Sequence, residues 1–395
     1  MKKIWIVAHF CSDFESKGNN RFNYLARLLA ENEYEVEFIT SDFSHVKKKP
    51  RSAQAADPAY HVSLVHEPGY RRNVGFDRLY SHAVFGKNLK RRFTQLERPQ
   101  VVYLAVPSLD AGKATAEYCK ANNIPLVIDV QDLWPEAFCL ATRKYHIPEW
   151  IYAPMKKAAD YIYRAGEVVF AVSDTYLNRA NLVRENKRGQ SVFIGTDLAA
   201  FDAYPAITMD KPWDEIWIAY AGTLGSSYNI DIIIDAVRLL VNKGVIGFRF
   251  KVFGDGPAME RFKAHAHGLP VDFHGRLLYK DMVGSLRNCD IAVNPIAKGA
   301  AQSIINKHAD YAAAGLPVVS TQECPEYRAL LDEFDCGINC PPEDTQAVAD
   351  ALEGLLRDPA LRKKMGENSR RMAQERFDRK HTYQQIIAEI ERFVR

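Results

Sequence analysis

Apolar and polar positions follow two kinds of pattern along the chain. Short apolar runs bounded by polar residues, such as IWIVAHF near the start and VVYLAV at Val101–Val106, predict buried strands. Between such runs apolar residues recur at helical spacing, as at Phe22, Leu25 and Leu28. Strand–helix–strand is the unit of a parallel sheet, so the pattern predicts an α/β protein.

This rhythm breaks once, over FDAYPAITMDKPWDE, which carries two prolines and has no clean period. Such a segment suits a domain linker. The rhythm restarts with IWIAYAG and continues toward the C-terminus. We therefore predict two doubly wound, Rossmann-like domains, residues 1–203 and 204–378, followed by a helix over 379–395. Ligands of such sheets bind outside the carboxyl ends of the strands, and a cleft between the domains is the expected site.

Composition narrows the function only slightly. A net charge of +3 over 395 residues does not indicate a nucleic-acid partner. The seven cysteines contain no CxxC pair, which favours reduced thiols in a cytoplasmic protein over a metal site. The first apolar run is too short for a signal peptide, and no window is long enough for a membrane span. Basic clusters at Lys47–Arg51 and Lys87–Phe93 are either solvated faces or a surface for anionic lipid.

Three loops that follow strands of the second half carry glycine: YAGTLGSS, VFGDGP and FHGRL. For any one loop, the geometry of a strand-to-helix turn is explanation enough. Three in succession at one end of a sheet favour an edge lined by a ligand, since glycine lets a ligand approach the backbone. No Walker P-loop and no clean GxGxxG occurs, so a dehydrogenase has little support. The candidate ligand-binding residues in these loops are Gly222, Thr223, Leu224, Gly254, Asp255, Gly256, Arg276 and Leu277.

The stretch INKHADYAAAGLPVVST predicts a helix over Ile304–Ala314 that Gly315 ends. A helix N-terminus attracts phosphate through its free N–H groups and its dipole. Lys307 adds a full charge, and Asp310 on the same face is suited to ribose hydroxyls. The alternative for these two side chains is an ordinary i,i+3 salt bridge. Backbone donors for the phosphate are expected at Gln302, Ser303, Ile304 and Ile305.

Taken together, these segments resemble glycosyltransferase family 4. The likeness rests on YAGTLG, VFGDGP, FHGRL, DIAVNPI and NKHADYAAAGLPVVST in the second half. In the first half, DVQDLWPEAF is similar to the DLWPE segment of bacterial transferases that build O-antigen, capsule or exopolysaccharide. The resemblance implies the two-domain GT-B fold, with acceptor binding by the first domain and nucleotide-sugar binding by the second. It also implies that the last helix, 379–395, crosses back onto the first domain.

The same resemblance implies a UDP- or GDP-sugar donor, retention of anomeric configuration and catalysis without a bound metal or other cofactor. Asp310 stands at the second glutamate of the family's E-x7-E motif, and Gln302 stands at the first. Thr223 and Asn229 stand where many members have an arginine and a lysine that bind diphosphate, so Lys307 is expected to supply that charge. Further cations expected at the diphosphate are Arg276 and Lys298.

Four residues of the first half are candidates for the reacting end of the site. Many family members have a histidine after the fourth strand of the first domain, where this chain has Gln131. Asp132 beside it either orients the acceptor or caps a helix. His9 ends the first strand and is expected at the acceptor, unless it is structural. Gly18 is the glycine that remains of the glycine-rich loop expected after that strand.

The sequence thus predicts a retaining hexosyltransferase whose catalytic residues are Gln302, Gln131, Asp132 and Lys307. Its expected acceptor is a polyprenyl-diphosphate-linked or growing bacterial glycan, at the cytoplasmic face of an anionic membrane. A UDP-N-acetylglucosamine 2-epimerase on the same fold and a non-catalytic nucleotide-sugar binder remain as alternatives. Both would share the nucleotide site.

Overall fold

A computed structural model describes residues 2–12, 14, 20–52, 57–73, 75–142, 146, 148–207, 209–300 and 303–395. Contacts within the chain divide it into two units. The first unit is Met1–Phe193 with Thr382–Arg395, and the second unit is Ile194–His381. The boundaries between the units fall after Phe193 and after His381, whereas the sequence predicts them after residues 203 and 378.

The first unit contains a parallel sheet whose strands are short and rich in β-branched residues. In space the strands follow the order β5-β2-β1-β6-β7-β8-β9, and β3 pairs with β4 in a separate antiparallel hairpin. The strands are β1 (Lys3–Val7), β2 (Glu35–Ser41), β3 (Phe43–Ser44), β4 (Lys49–Pro50), β5 (His61–Val65), β6 (Val101–Val106), β7 (Leu126–Val130), β8 (Val168–Ala171) and β9 (Gly189–Ser191). The helices of this part are α1 (Arg21–Glu31), α2 (Phe76–Phe93), α3 (Leu109–Asn122), α4 (Glu136–Thr142), α5 (Ala153–Ala165) and α6 (Asp174–Asn181).

The second unit repeats the plan with a parallel sheet in the order β12-β11-β10-β13-β14-β15. Its strands are β10 (Ile216–Ala221), β11 (Phe248–Phe253), β12 (Val271–Gly275), β13 (Ile291–Asn294), β14 (Val318–Ser320) and β15 (Gly337–Asn339). Its helices are α7 (Leu198–Ala203), α8 (Ile230–Asn242), α9 (Met259–His265), α10 (Tyr279–Leu286), α11 (Asn306–Ala313), α12 (Pro325–Phe334), α13 (Thr345–Arg357), α14 (Pro359–Met372) and α15 (Arg379–Thr382). The chain ends in α16 (Gln384–Val394).

In both sheets the first strand lies in the middle. Strand β1 lies between β2 and β6, and β10 lies between β11 and β13. The chain therefore winds outward in both directions, and the point of reversal lies beside that first strand. Ligands of such sheets bind outside the carboxyl ends of the strands at this point. The predicted α/β fold of two doubly wound parallel sheets is confirmed.

A buried ion pair joins the elements of the first unit. Arg21 on α1 donates to the Asp129 carboxylate on β7 at 2.7 and 3.1 Å. The same guanidinium donates to the Val192 carbonyl at 3.0 Å and to the Tyr383 hydroxyl at 3.2 Å. Tyr383 and the apolar face of α16, which includes Ile386, belong to the hydrophobic core of this unit. The final helix is thus part of the first unit.

The apolar pattern predicts most of these elements but misses a few. Strand β5 and helix α2 fall in the basic part of the first third, where charged residues obscure the period. The predicted linker lies against α10: the Ile207 N–H donates to the Gly284 carbonyl at 3.2 Å, and Arg287 donates to the Tyr204 carbonyl at 2.7 Å. The linker is therefore held by contacts within the second unit.

Candidate functional site

The residue before helix α11 does not cap its first turn with a side chain, although the Ile305 N–H itself donates to His308 Nδ1 at 3.3 Å. Ile305 precedes the helix with extended backbone angles, and an aliphatic side chain has no oxygen with which to cap the first turn. The first amide groups of a helix lack partners within the helix, so they are available to a ligand or to water. Near this end, the Ser303 hydroxyl is buried and has no hydrogen-bond partner within the described residues. This end of α11 can therefore accept an anion.

Lys307 lies in the first turn of α11, and only 8% of it is exposed. Its Nζ lies 3.9 Å from the ring centre of Tyr228 and 4.3 Å from that of Tyr220. In the described part of the chain, no group forms a hydrogen bond with this Nζ, so the alternative salt bridge to Asp310 is not formed. Burial lowers the pKa of Lys307 well below its usual value. Two aromatic faces partly stabilise the cation, but they supply no negative charge.

Asp310 lies one turn further along α11 and accepts a hydrogen bond from the Tyr279 hydroxyl at 2.7 Å. The same hydroxyl lies 3.3 Å from Thr196 Oγ1. Burial, and then the Asp310 charge, raise the pKa of Tyr279, so its hydroxyl keeps its proton and donates. Tyr279 thus fixes the position of the carboxylate.

Both glycines of the second loop, Gly254 and Gly256, are needed for close packing of backbone on backbone. A side chain at Gly254 would collide with the Gly222 carbonyl, and one at Gly256 would collide with the Leu224 carbonyl. Gly222 itself faces the Lys307 ammonium, which lies 3.1 Å from the place a Cβ would take. Geometry alone accounts for Gly254 and Gly256, whereas Gly222 leaves room beside the buried cation.

The other predicted donor residues of the second unit differ in exposure. Thr223 and Asp255 are exposed, and Leu224 and Ile304 are buried. The side chain of Asp255 accepts from the Gly256 N–H at 2.7 Å. The remaining candidates are Arg276, which is exposed, Leu277, which is half-buried, and Lys298, which is exposed and pairs with Glu343 at 3.2 Å. Asn229 caps α8 through its side chain. Of these cations, Lys307 is the one that the fold buries.

Gln131 and Asp132 follow strand β7 in the first unit. Asp132 accepts from the Leu133 N–H at 2.9 Å and from Trp134 Nε1 at 3.3 Å. It does not cap α4, which begins at Glu136. Burial raises the pKa of Asp132 despite these hydrogen bonds. The side-chain Nε2 of Gln131 is buried, and nothing among the described residues accepts from it.

His9 lies beyond the end of β1, and both of its ring nitrogens have partners. Nδ1 lies 2.6 Å from Ser108 Oγ, and Nε2 lies 3.0 Å from Glu67 Oε1. The ring stacks on Phe10 on one side and on Phe85 on the other. Its predicted role at the acceptor stays a prediction. Two other predicted residues, Gly18 and Gln302, lie outside the described residues.

Cations and aromatic rings gather near His9. The Arg78 guanidinium lies over Trp134 at 4.8 Å and over Tyr70 at 5.6 Å from the ring centres. Lys48 Nζ lies 4.4 Å from the centre of the same Tyr70 ring. Burial lowers the pKa of both Lys48 and Arg78. No carboxylate within the described ranges forms an ion pair with either of them, so this group, called here the Tyr70 cluster, carries unpaired positive charge.

The two halves of the chain each match a family model. Residues 18–183 match the model described as Glycosyltransferase Family 4, and residues 215–358 match the one described as Glycosyl transferases group 1. Both models describe glycosyltransferases, so the chain is a glycosyltransferase. Over 245 residues this glycosyltransferase chain is 25% identical to a probable glycosyltransferase of Pseudomonas aeruginosa, WbjE. That match covers 58% of the chain and 59% of the relative, which is less than two thirds of either.

Solved structures show the fold of this glycosyltransferase. Anabaena HepE, solved with UDP and glucose, is 14% identical, with a TM-score of 0.71 over 99% of this chain and 100% of that one. WaaG, a glycosyltransferase involved in lipopolysaccharide biosynthesis, is 14% identical, with a TM-score of 0.66 over 96% and 98%. A candidate UDP-N-acetylglucosamine 2-epimerase from Listeria monocytogenes is 12% identical, with a TM-score of 0.63 over 99% and 96%. The last of these shows that the fold alone does not choose the reaction.

Sequence reasoning misses several residues around these groups. Tyr220 and Tyr228 contact Lys307, and Tyr279 bonds Asp310. Tyr220 lies in an apolar run, which predicts a core residue, and Tyr228 and Tyr279 lie in loop or helix-start segments without a motif that marks them. Glu67, which bonds His9, follows β5, a strand that the pattern does not predict. A signal was present for Glu67: the polar pair His66-Glu67 directly follows HVSLV, in which apolar and polar residues alternate.

Proposed function

We propose that this glycosyltransferase transfers a hexose or N-acetylhexosamine from a nucleoside diphosphate to an acceptor hydroxyl, with retention of the anomeric configuration. The observation that carries the proposal is the buried Lys307 side chain in the first turn of α11, whose Nζ has no hydrogen-bond partner among the described residues. A buried charge without a partner costs several kcal/mol, roughly, so such a group calls for an anion. The diphosphate of a sugar nucleotide supplies that anion.

The proposed reaction needs this positive charge most when the bond between the sugar and the diphosphate breaks. The bond between the anomeric carbon and the diphosphate oxygen breaks, the acceptor oxygen bonds to the same face of that carbon, and the acceptor's hydroxyl proton passes to the leaving diphosphate. Negative charge develops on the leaving diphosphate as its bond to the sugar breaks. Lys307 and the N–H groups of α11 would stabilise it, because they are held in place before the reaction begins. Gln302 would hydrogen-bond the sugar.

UDP is the favoured nucleotide of the proposal, with GDP as the second choice. The HepE structures hold UDP, and this chain shares their fold. Asp310 would accept hydrogen bonds from the ribose hydroxyls. Its carboxylate is already oriented by Tyr279, so little ordering would be needed on binding.

The acceptor in this proposal carries a phosphate or diphosphate on a lipid-linked or growing bacterial glycan. The support is the Tyr70 cluster, where Lys48 and Arg78 bring unpaired positive charge to one aromatic ring. A phosphate would neutralise both cations. Gln131 and Asp132 are proposed near the sugar, where the Asp132 carboxylate would orient the acceptor hydroxyl.

Peripheral membrane contact at the cytoplasmic face completes the proposal. No helix in the described ranges is long and apolar enough to cross a bilayer. The start of α2 exposes Phe76 by 90%, Leu79 by 53% and Tyr80 by 65%, and the exposed Arg71 and Arg72 precede it. Apolar side chains beside basic ones suit the interface of an anionic membrane.

Replacing Lys307 by methionine tests the proposal. The change keeps the length of the side chain and removes the charge, so UDP affinity should fall by roughly 1.5–3 kcal/mol, as for a hydrogen bond to a charged group. Titration calorimetry measures this, and Lys243→Met, an exposed lysine of the same unit, is the matched control. Equal UDP affinity in a folded Lys307→Met protein would refute the role of Lys307 and remove the main support for the reaction.

Two alternatives give different results with the same donor. An epimerase would convert UDP-N-acetylglucosamine without any acceptor, which NMR of the sugar detects. A non-catalytic binder would hold the donor without releasing sugar to any of a panel of lipid-linked acceptors. The proposed transferase releases UDP in proportion to the acceptor that it glycosylates.

A further inference from the structure

A second polar site lies in the first unit, where the order of strands reverses between β1 and β6. His9 follows β1, Glu67 follows β5, and His82 comes from α2. One possible ligand atom from each of the three lies within 4.8 Å of the other two. Each residue is less than 5% exposed. Three metal-binding side chains from distant parts of the sequence thus converge in the interior.

Hydroxyl groups orient two of these three side chains. Ser41 Oγ donates to Glu67 Oε1 at 2.5 Å, and Ser81 Oγ donates to Glu67 Oε2 at 2.6 Å. Ser108 Oγ lies 2.6 Å from His9 Nδ1. Outer hydroxyls that orient a carboxylate and fix an imidazole are the usual second layer of a metal site.

The third side chain is left unsatisfied. His82 Nε2 is buried, and no hydrogen bond reaches it from any described residue. The ring is held by stacking on Trp134 at 5.9 Å and by an edge contact with His9 at 4.8 Å. A buried ring nitrogen without a partner is costly, and a metal ion would satisfy it.

We propose that His9, Glu67 and His82 bind Zn²⁺. Two nitrogens and one carboxylate oxygen are a common ligand set for this ion, with water at a fourth position. Bonds of about 2.0–2.2 Å in a tetrahedron place ligand atoms about 3.3–3.6 Å apart. His9 Nε2 and Glu67 Oε1, at 3.0 Å, are close to that separation, whereas the three ligand atoms together lie within 4.8 Å, so the His82 ring would move closer to the other two when the metal binds. On binding, the His9 ring proton would lie on Nδ1 and be donated to Ser108, which frees Nε2 for the metal.

An entry path is present at Glu67. This residue lines a cavity of about 480 Å³ together with Lys48, Tyr70 and Arg71. The cavity includes part of the Tyr70 cluster, which the proposed function assigns to the acceptor. Bound Zn²⁺ would therefore fix the base of the acceptor pocket. It would lie in the first unit and leave nucleotide binding by the second unit unchanged.

Cobalt substitution of the full chain tests the site. The protein is stripped with a chelator and titrated first with Co²⁺, whose visible absorption is intense only in sites of low coordination number, and then with Zn²⁺; a second stripped sample is titrated with Zn²⁺ alone. We expect one equivalent of each metal, intense cobalt bands that Zn²⁺ abolishes, and a higher melting temperature with Zn²⁺ but not with Mg²⁺. UDP affinity should be the same with and without metal.

Two variants locate the metal. His82→Phe removes the ligand and keeps the stack on Trp134, and it should weaken Zn²⁺ binding about tenfold or more. His66→Gln removes an exposed histidine of the same unit that pairs with Asp42, and it should bind Zn²⁺ like the natural chain. The proposal is overturned by weak cobalt bands in the natural chain, by unchanged binding in His82→Phe, or by loss of binding in His66→Gln. The natural chain decides the matter by itself if His82→Phe does not fold.

Discussion

Arg21 in the first unit and Lys307 in the second unit are both buried, and their surroundings are opposite. Arg21 in the first unit meets a carboxylate, two carbonyls and a hydroxyl, and these acceptors keep its pKa high although burial alone would lower it. Lys307 in the second unit meets two aromatic faces and no hydrogen-bond acceptor within the described residues, and burial lowers its pKa. A satisfied buried cation holds a fold together, whereas an unsatisfied one indicates a ligand.

The largest expected effect comes from breaking the satisfied cation. Arg21→Met leaves the Asp129 carboxylate buried without a partner, so the first unit should lose about 3–5 kcal/mol of unfolding free energy. Denaturant unfolding measures the loss. Arg27→Met, on the same helix but in an exposed pair with Glu31, should cost about 1 kcal/mol or less. Similar losses of unfolding free energy in the two variants would show that the buried pair stabilises the protein no more than the exposed pair does.

The opposite result is expected for the unsatisfied cation. Lys307→Met removes a buried polar group without a partner, so the free protein should gain about 1–3 kcal/mol of unfolding free energy while it loses UDP affinity. Thermal or denaturant unfolding of the nucleotide-free protein measures the gain. A variant that is less stable than the natural chain would mean that Lys307 is satisfied after all.

The gain in unfolding free energy from Lys307→Met should depend on pH. The unfolded chain binds the Lys307 proton up to its ordinary pKa of 10.5, whereas the folded chain releases it at a lower pH. Between the two values the unfolded state binds more protons, so this lysine costs stability at low pH, and the cost disappears as pH rises toward 10.5. The gain from Lys307→Met should therefore shrink as pH rises. An equal gain at neutral and alkaline pH would contradict the lowered pKa.

A related prediction concerns protons taken up with the nucleotide. A diphosphate beside Lys307 favours its charged form and raises its pKa, so UDP binding should take up protons at pH values between the lowered pKa of the free protein and the higher pKa of the complex. Calorimetry in buffers of different ionisation enthalpy counts these protons. Lys307→Met should bind UDP without this uptake, and uptake that persists in the variant would assign it to another group.

The smallest effects are expected at the exposed cations. Arg276 and Lys298 lie at the surface, and Lys298 already pairs with Glu343. Replacing either by alanine should weaken UDP binding by about 1 kcal/mol or less, because exposed charges are screened by water and salt. Calorimetry against Lys307→Met compares the three. A loss at Lys298 as large as that at Lys307 would remove the distinction between buried and exposed charge.

Much of the architecture follows from local pattern. Runs such as IWIVAHF and IWIAYAG are apolar on both faces because a parallel sheet is covered on both sides, so they read as strands without tertiary information. Helix α11 is confirmed close to its predicted range because Gly315 ends it and Pro317 follows. The pattern does not predict strand β5, because this edge strand is short and its apolar residues alternate with polar ones.

The sequence by itself determined the two parallel sheets and helix α11, on which it places Lys307 and Asp310. Periodicity and turn residues are local properties, so these features need no tertiary information. Tertiary structure alone decided that Lys307 faces Tyr220 and Tyr228 rather than Asp310, and that Glu67 meets His9 and His82. Those contacts join segments far apart in the chain. Which charge is paired and which is left open depends on where strand ends meet, and no single segment encodes that.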